Sequence, residues 1–176
     1  MSINDLRITL MNYLRATQVG EQLIVRIEGK DQDILDTLVL FGIDYSQLYY
    51  QSNNFKYHLQ FASTLLDTNK AFICFCPQED NASSCNGTCE HLSPEEVINN
   101  PLPFVIRMKK SDTTSDSFVI MSTNKYPTST FASACDDLLQ GITTIIQEDK
   151  HLSNATKEEW VRKSLGYEQA MHYVHI

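Results

Sequence analysis

Four of the five cysteines lie inside one stretch of sixteen residues, as Cys74-x-Cys76 and Cys85-x3-Cys89 with eight residues between the pairs. Thiols placed this densely are disulfides, a metal centre or idle sulfhydryls, and each choice constrains the fold differently. The N-terminus, Met-Ser-Ile-Asn-Asp, has neither a basic region nor an apolar run, so no secretory leader is read and the expected compartment is the reducing cytoplasm. Disulfides are rare there, and a cluster of idle thiols on a polar loop is an oxidation liability. The spacing suits structural zinc, which takes four soft or borderline ligands at tetrahedral angles, usually as two close pairs. Gly87 lets the second pair turn tightly. With every position filled by protein there is no open site for hydrolytic chemistry. Cys74, Cys76, Cys85 and Cys89 are the expected ligands, and His91 is the alternative in place of Cys85. Cys135, in Ala132-Ser-Ala-Cys-Asp136, reads as a small core residue.

The chain has 176 residues, 42% apolar and 20% charged, enough for one core carrying a modest insertion. Its formal charge is −8. That balance argues against a DNA-coating protein, whose affinity comes from Lys and Arg neutralising phosphates. No run reaches the ~20 apolar residues that span a bilayer, so no membrane partner is expected. Acceptor sequons at Asn81 and Asn86 are idle in a cytoplasmic protein.

Apolar residues at Ile3, Leu6, Leu10 and Leu14 predict a first helix over 3–17, capped by Ser2 or Asn4 and ended by Gly20. A strand over Gln22–Glu28 follows, then a helix with Ile34, Leu35, Leu38 and Phe41 on one face. A third helix, capped by Ser52, carries Tyr57, Phe61, Leu65 and Leu66, and Ala71–Phe75 is a short buried strand. Beyond the cysteine loop, Ser93-Pro-Glu-Glu96 is a capping box that opens a helix. Strands at 103–108 and 117–121, a helix at 131–139, a strand at 143–147, a helix at 154–165 closed by Gly166 and a terminal strand complete the chain. Strands alternate with helices at both ends while the middle differs. An α/β sheet domain over 1–73 and 124–176, interrupted by a zinc-binding α+β subdomain at 74–123, is therefore expected. Lys30, Lys109 and Lys110 read as solvated charges, Asp136-Asp137 as a helix surface or capping pair, and Tyr45, Tyr49 and Tyr50 as packing beside the core.

Several of these segments, in this order, resemble the catalytic half of bacterial glutamyl-tRNA synthetases: Leu6–Arg15, Leu23–Glu28, Tyr50-Gln-Ser-Asn53, the cysteine loop with His91–Glu96, Phe104–Arg107, Ser133–Leu138 and His151-Leu-Ser-Asn154. The resemblance implies a truncated Rossmann-like class I synthetase catalytic domain, with the cysteine loop as the insertion that binds the tRNA acceptor stem. Cys85 takes the position of a tyrosine ligand in the related glutamyl-queuosine tRNA synthetases. His151, with Asp149 nearby, falls in a non-chemical segment of the family.

Other positions depart from the family. The HIGH motif aligns with Ser2-Ile-Asn-Asp5, so Ser2 and Asn4 stand where an imidazole and a glycine would be, and no KMSKS loop is present. Glu28 is kept, but the acidic stretch after it is deleted. Ser129 aligns with a pocket tyrosine and Gln147 with the arginine that holds the substrate carboxylate. The family uses these groups to stabilise charge during adenylate formation. Their loss implies a catalytically inactive protein, poor at binding ATP, that serves as a binding or regulatory module for a protein partner or tRNA. The alternatives are a ligase or nucleotidyl-transfer enzyme with residual activity, or a subunit completed by a partner chain. With the family's first strand missing, Leu23–Ile27 and Thr143–Ile146 are expected to close directly against each other.

Overall fold

A computed structural model describes residues 2–29, 32–76, 85–148 and 152–176. Lys30, Asp149 and His151, and the sequon at Asn81, lie outside the described residues. The element order is α1 (Ile3–Val19), β1 (Ile24–Ile27), α2 (Gln32–Leu40), β2 (Gln47–Tyr50), α3 (Phe55–Asp67), β3 (Ala71–Cys74), α4 (Pro94–Ile98), β4 (Val105–Met108), β5 (Phe118–Met121), α5 (Ser129–Gln140), β6 (Thr144–Gln147), α6 (Leu152–Ser164) and β7 (His172–His175). The fold is α/β. The chain divides into one compact unit of Met1–Asn54, Ile142–Leu152 and Ala170–Ile176 and a second of Phe55–Gly141 and Ser153–Gln169.

The described strands of the first unit form two separate two-stranded parallel sheets. β1 pairs with β2 through Ile24–Gln47 to Ile27–Tyr50, and β6 pairs with β7 through Thr144–His172 to Gln147–His175. Among the described residues no ladder joins β1 to β6, so the direct closure expected from the sequence does not form. The side chain of Asn12, on α1, supplies the reason. Thr143 and Gln147 present their carbonyls to β7, so strand alternation turns the peptide groups of Ile146 to the opposite edge. There Asn12 Nδ2 donates to the Ile146 carbonyl at 3.1 Å, and the Ile146 N–H donates to Asn12 Oδ1 at 3.3 Å. One amide thus imitates a neighbouring strand and occupies the edge that β1 would need.

Ser2 caps α1 in a capping box with Asp5, and Gly20, at φ 72°, ends it. The apolar stripe read along this helix is not a buried stripe: Ile3 and Leu14 are exposed and Ala16 is the residue that is buried. Phe41 falls beyond the end of α2 and is also exposed, as are Val39 and Leu40. Ser52 sits inside a 3-10 turn, Gln51–Asn54, ahead of α3 and does not cap the helix itself.

The second unit holds the main core. Its antiparallel sheet β3–β4–β5 pairs Ala71 with Met108, Cys74 with Val105 and Met108 with Phe118. Alternation puts Ala71, Met108 and Ile120 on one face, packed against Leu65 of α3, Phe131 and Cys135 of α5 and Val161 of α6. Phe72, Cys74, Val105 and Val119 occupy the other face, where the remaining thiols gather. Asp136 and Asp137, read as a surface pair, are fully buried. Asp136 accepts from His58 Nε2 at 2.9 Å, and Asp137 faces Arg162 at 3.6 Å. Buried carboxylates of this kind persist only when paired.

Candidate metal centre

Cys74 is placed by the last residue of β3, with its side chain fully buried between Phe72 and Val105. Cys76 follows just after the strand. Cys85 and Cys89 come from the returning loop, where Gly87, at φ 89°, begins a 3-10 turn, Thr88–His91, that contains Cys89. The Asn86 side chain accepts from the Thr88 N–H at 3.1 Å and fixes the entry to that turn. Lys109, expected as a solvated charge, donates to Asn69 at 2.8 Å and meets Glu90 at 3.6 Å, tying the turn to β4.

The four sulfurs converge: all lie within 4.8 Å of one another, with Cys76 at 3.7 Å from Cys85 and 3.6 Å from Cys89. These distances are far beyond the ~2.05 Å of a disulfide. A tetrahedral site with Zn–S near 2.3 Å requires sulfur–sulfur separations of about 3.8 Å. The donor set therefore fits a zinc-sized ion. His91 is exposed and stands outside the group. Burial pushes the Cys74 thiol up to about 12 and raises Cys76 as well. Cys85 feels the same burial, but the N–H groups of Gly87 and Cys89 and the neighbouring thiols more than offset it, and its pKa falls below the ordinary value. Four thiolates this close repel one another strongly without a cation among them.

The other expected site residues do not form a comparable group. Ser2, Asn4, Glu28 and Gln147 belong to the first unit and Ser129 to the second. Ser2 is occupied as the cap of α1, Asn4 is exposed in its first turn, Glu28 is exposed just past β1, and Ser129 is exposed at the start of α5. Gln147 is half-buried at the carboxyl end of β6, with its amide nitrogen 3.1 Å from His175 Nε2.

The sequence matches the family of class I tRNA synthetases (E and Q), catalytic domain, over residues 2–97 and again over 88–176. The chain belongs to that family. Glutamate–tRNA ligase 1 of Campylobacter curvus is 41% identical to it and the corresponding ligase of Campylobacter jejuni strain RM1221 is 39% identical, each over the whole chain and 50% of the relative. The chain thus spans about half the length of the curated relatives it matches. Each alignment covers 214 positions against the 176 residues of this chain, so the relatives carry residues within the matched span that have no counterpart here. The fold agrees: a glutamate tRNA ligase from Elizabethkingia meningosepticum superposes with a TM-score of 0.82 at 20% identity, covering the whole chain and 46% of that protein. Among the described residues, no helix is long and apolar enough to cross a membrane.

Proposed function

We propose that this glutamyl-tRNA synthetase-like chain is a cytoplasmic, zinc-bearing tRNA-binding module that does not itself form an aminoacyl adenylate. The observation that carries this reading is the set of four converging sulfurs, held by β3 and the loop after it. Zinc bound there is structural: it cross-links the end of β3 to the 3-10 turn that carries Cys89 and so fixes a surface for the acceptor end of a tRNA. Cys74, Cys76, Cys85 and Cys89 hold the ion, and His91 is spare.

The case against adenylation rests on residues inside the chain. Where the family resemblance asks for a carboxylate-holding arginine, Gln147 is a neutral amide already engaged with His175. A charge-assisted bond is worth ~1.5–3 kcal/mol, and a carboxylate buried without its cation loses its desolvation energy as well. Ser129 offers no ring at the pocket-tyrosine position. Productive ATP binding is not expected.

Filter binding of total tRNA at two salt concentrations, alongside ATP–pyrophosphate exchange with glutamate, tests both halves. The expected result is salt-sensitive tRNA binding without exchange, and Gln147→Arg alone does not restore exchange, because parts of one pocket act non-additively. Exchange above a blank refutes the inactive assignment, and tRNA binding no stronger than to a neutral polymer refutes the other half. A protein partner is a second reading, favoured by the consecutive exposed residues Val39, Leu40 and Phe41.

A further inference from the structure

Lys109, one residue past the end of β4, is held by both its main chain and its side chain. Its N–H donates to the Lys70 carbonyl at 2.9 Å, just beyond the Ala71–Met108 pair. Its carbonyl accepts from the Trp160 indole N–H of α6, also at 2.9 Å. The ammonium donates to Asn69 Oδ1 at 2.8 Å and meets Glu90 Oε1 at 3.6 Å. All of these residues belong to the second unit.

Both partners of the ammonium sit in closed turns. Asn69 adopts a left-handed conformation, φ 57°, between α3 and β3, a region that asparagine tolerates better than most residues. That turn is closed by Asn69 N–H to the Leu66 carbonyl at 3.0 Å and Lys70 N–H to the Leu65 carbonyl at 2.8 Å. Glu90 directly follows Cys89 in the 3-10 turn Thr88–His91, and its N–H donates to the Gly87 carbonyl at 3.1 Å. A lone lysine–glutamate pair near the surface is worth little, largely because ordering the lysine costs entropy. Here the Asn69 amide already orders it. Charge favours the same bridge. A divalent ion on four thiolates leaves a net charge of about −2, and the Glu90 carboxylate adds to it from the neighbouring position. A cation on Glu90 relieves that repulsion.

We propose that Lys109 is a positioning residue for the metal: by bridging Asn69 and Glu90 it sets where the turn carrying Cys89 lies, and so the affinity of the four-sulfur site. Lys109 is not a ligand; it acts through Glu90 and Cys89. The inference rests on the zinc reading of the four cysteines. Groups outside the ligand set that orient the ligands change metal affinity by roughly 10–100-fold when removed.

Competition of the full chain with a chromogenic chelator, read as zinc affinity and release rate, decides it. Lys109→Met, which keeps the stem and removes the charge, should weaken zinc binding about tenfold. Lys109→Arg should restore most of it. In a Glu90→Gln background the Lys109→Met change should have a much smaller effect, because the bridge is already broken. Asn69→Gly suits the left-handed turn but removes the amide, so it should weaken zinc without lowering the melting temperature of the metal-free chain. The visible spectrum of the cobalt-loaded chain is a second readout, and Lys109→Met should alter its tetrahedral bands. A merely structural lysine would instead lower the melting temperature of metal-free and loaded chains equally and leave affinity and spectrum unmoved. Zinc affinity unchanged in both Lys109→Met and Asn69→Gly overturns the positioning role, as does an equal loss with and without Glu90→Gln. If the parent binds zinc, that failure leaves the metal reading standing; a parent that binds none refutes the metal reading and the positioning role together.

Discussion

Serine at Cys74 is the perturbation that separates a metal centre from a packed cluster of thiols. Cys74 is fully buried and contributes twice, as a sulfur donor and as part of the small core with Phe72 and Val105. A zinc ion at a free concentration a thousandfold above its Kd adds about 4 kcal/mol to the folded state. The second unit has about 100 residues, a size at which 1 kcal/mol moves Tm by ~4–8 °C. Loss of the ion should therefore lower the melting transition by roughly 15–30 °C. Cys76→Ser and Cys89→Ser, at half-buried positions, lose mainly that contribution. Cys74→Ser loses it together with ~1–3 kcal/mol for a hydroxyl buried without a partner. Cys135→Ser is the control: it is equally buried but sits in the main core beside Phe131 and Val161. It pays only the hydroxyl term. Scanning fluorimetry with and without a zinc chelator reads the difference. Chelation should lower Tm in the parent and in Cys135→Ser by the same amount, and leave Cys74→Ser unmoved. The metal reasoning is refuted by a parent protein whose Tm ignores the chelator, or by less than about half an equivalent of zinc in protein never exposed to one.

Two further perturbations probe local devices. Asn12→Ala should free both peptide groups of Ile146 at the edge of β6 and speed exchange of the Ile146 amide about tenfold or more; an unchanged exchange rate means the amide was not satisfying that edge. The Ser93 N–H and hydroxyl, each 2.7 Å from Glu96, hold its carboxyl below the usual range, so the capping contribution is complete above the unfolded pKa of about 4.3 and is lost as pH falls through the lower folded value. The Ser93 amide resonance should therefore shift with a midpoint below that of a model glutamate, and Glu96→Gln should abolish the shift; a midpoint at or above the model value refutes the cap.

How much was legible depended on how local each cause is. The thiol spacing and the Ser93 capping box were readable because the partners lie within one stretch of sixteen residues or fewer along the chain. The strands at 105–108 and 118–121 were readable because short β-branched and aromatic runs are bounded by polar turns. Strand β2 escaped because its four residues, Gln-Leu-Tyr-Tyr, carry no alternation to distinguish them from a loop. The burial of Asp136 and Asp137 escaped for a different reason. Their partners, His58 and Arg162, come from other helices, and nothing near an Asp-Asp pair in sequence announces a cation brought in by the fold. The stripe on α1 misled because period 3.6 says which residues share a face and not whether anything covers it.

The sheet β3–β4–β5 shows why the cysteines matter to more than their own loop. An antiparallel sheet tolerates one wet face, but the second face of this one is covered as well: Phe72, Cys74, Val105 and Val119 lie on it beside Arg107, which is itself fully buried. Helices α3, α5 and α6 cover the first face through Leu65, Phe131 and Val161. Among the described residues, Cys76, Cys85 and Cys89 pack against the cluster on the second face, Cys89 from the 3-10 turn Thr88–His91. A metal binding all four sulfurs would fasten that turn to the end of β3 on this face of the sheet. Losing the ion should open this face first and leave the helical side intact, since Ala71, Met108 and Ile120 keep their partners in the main core.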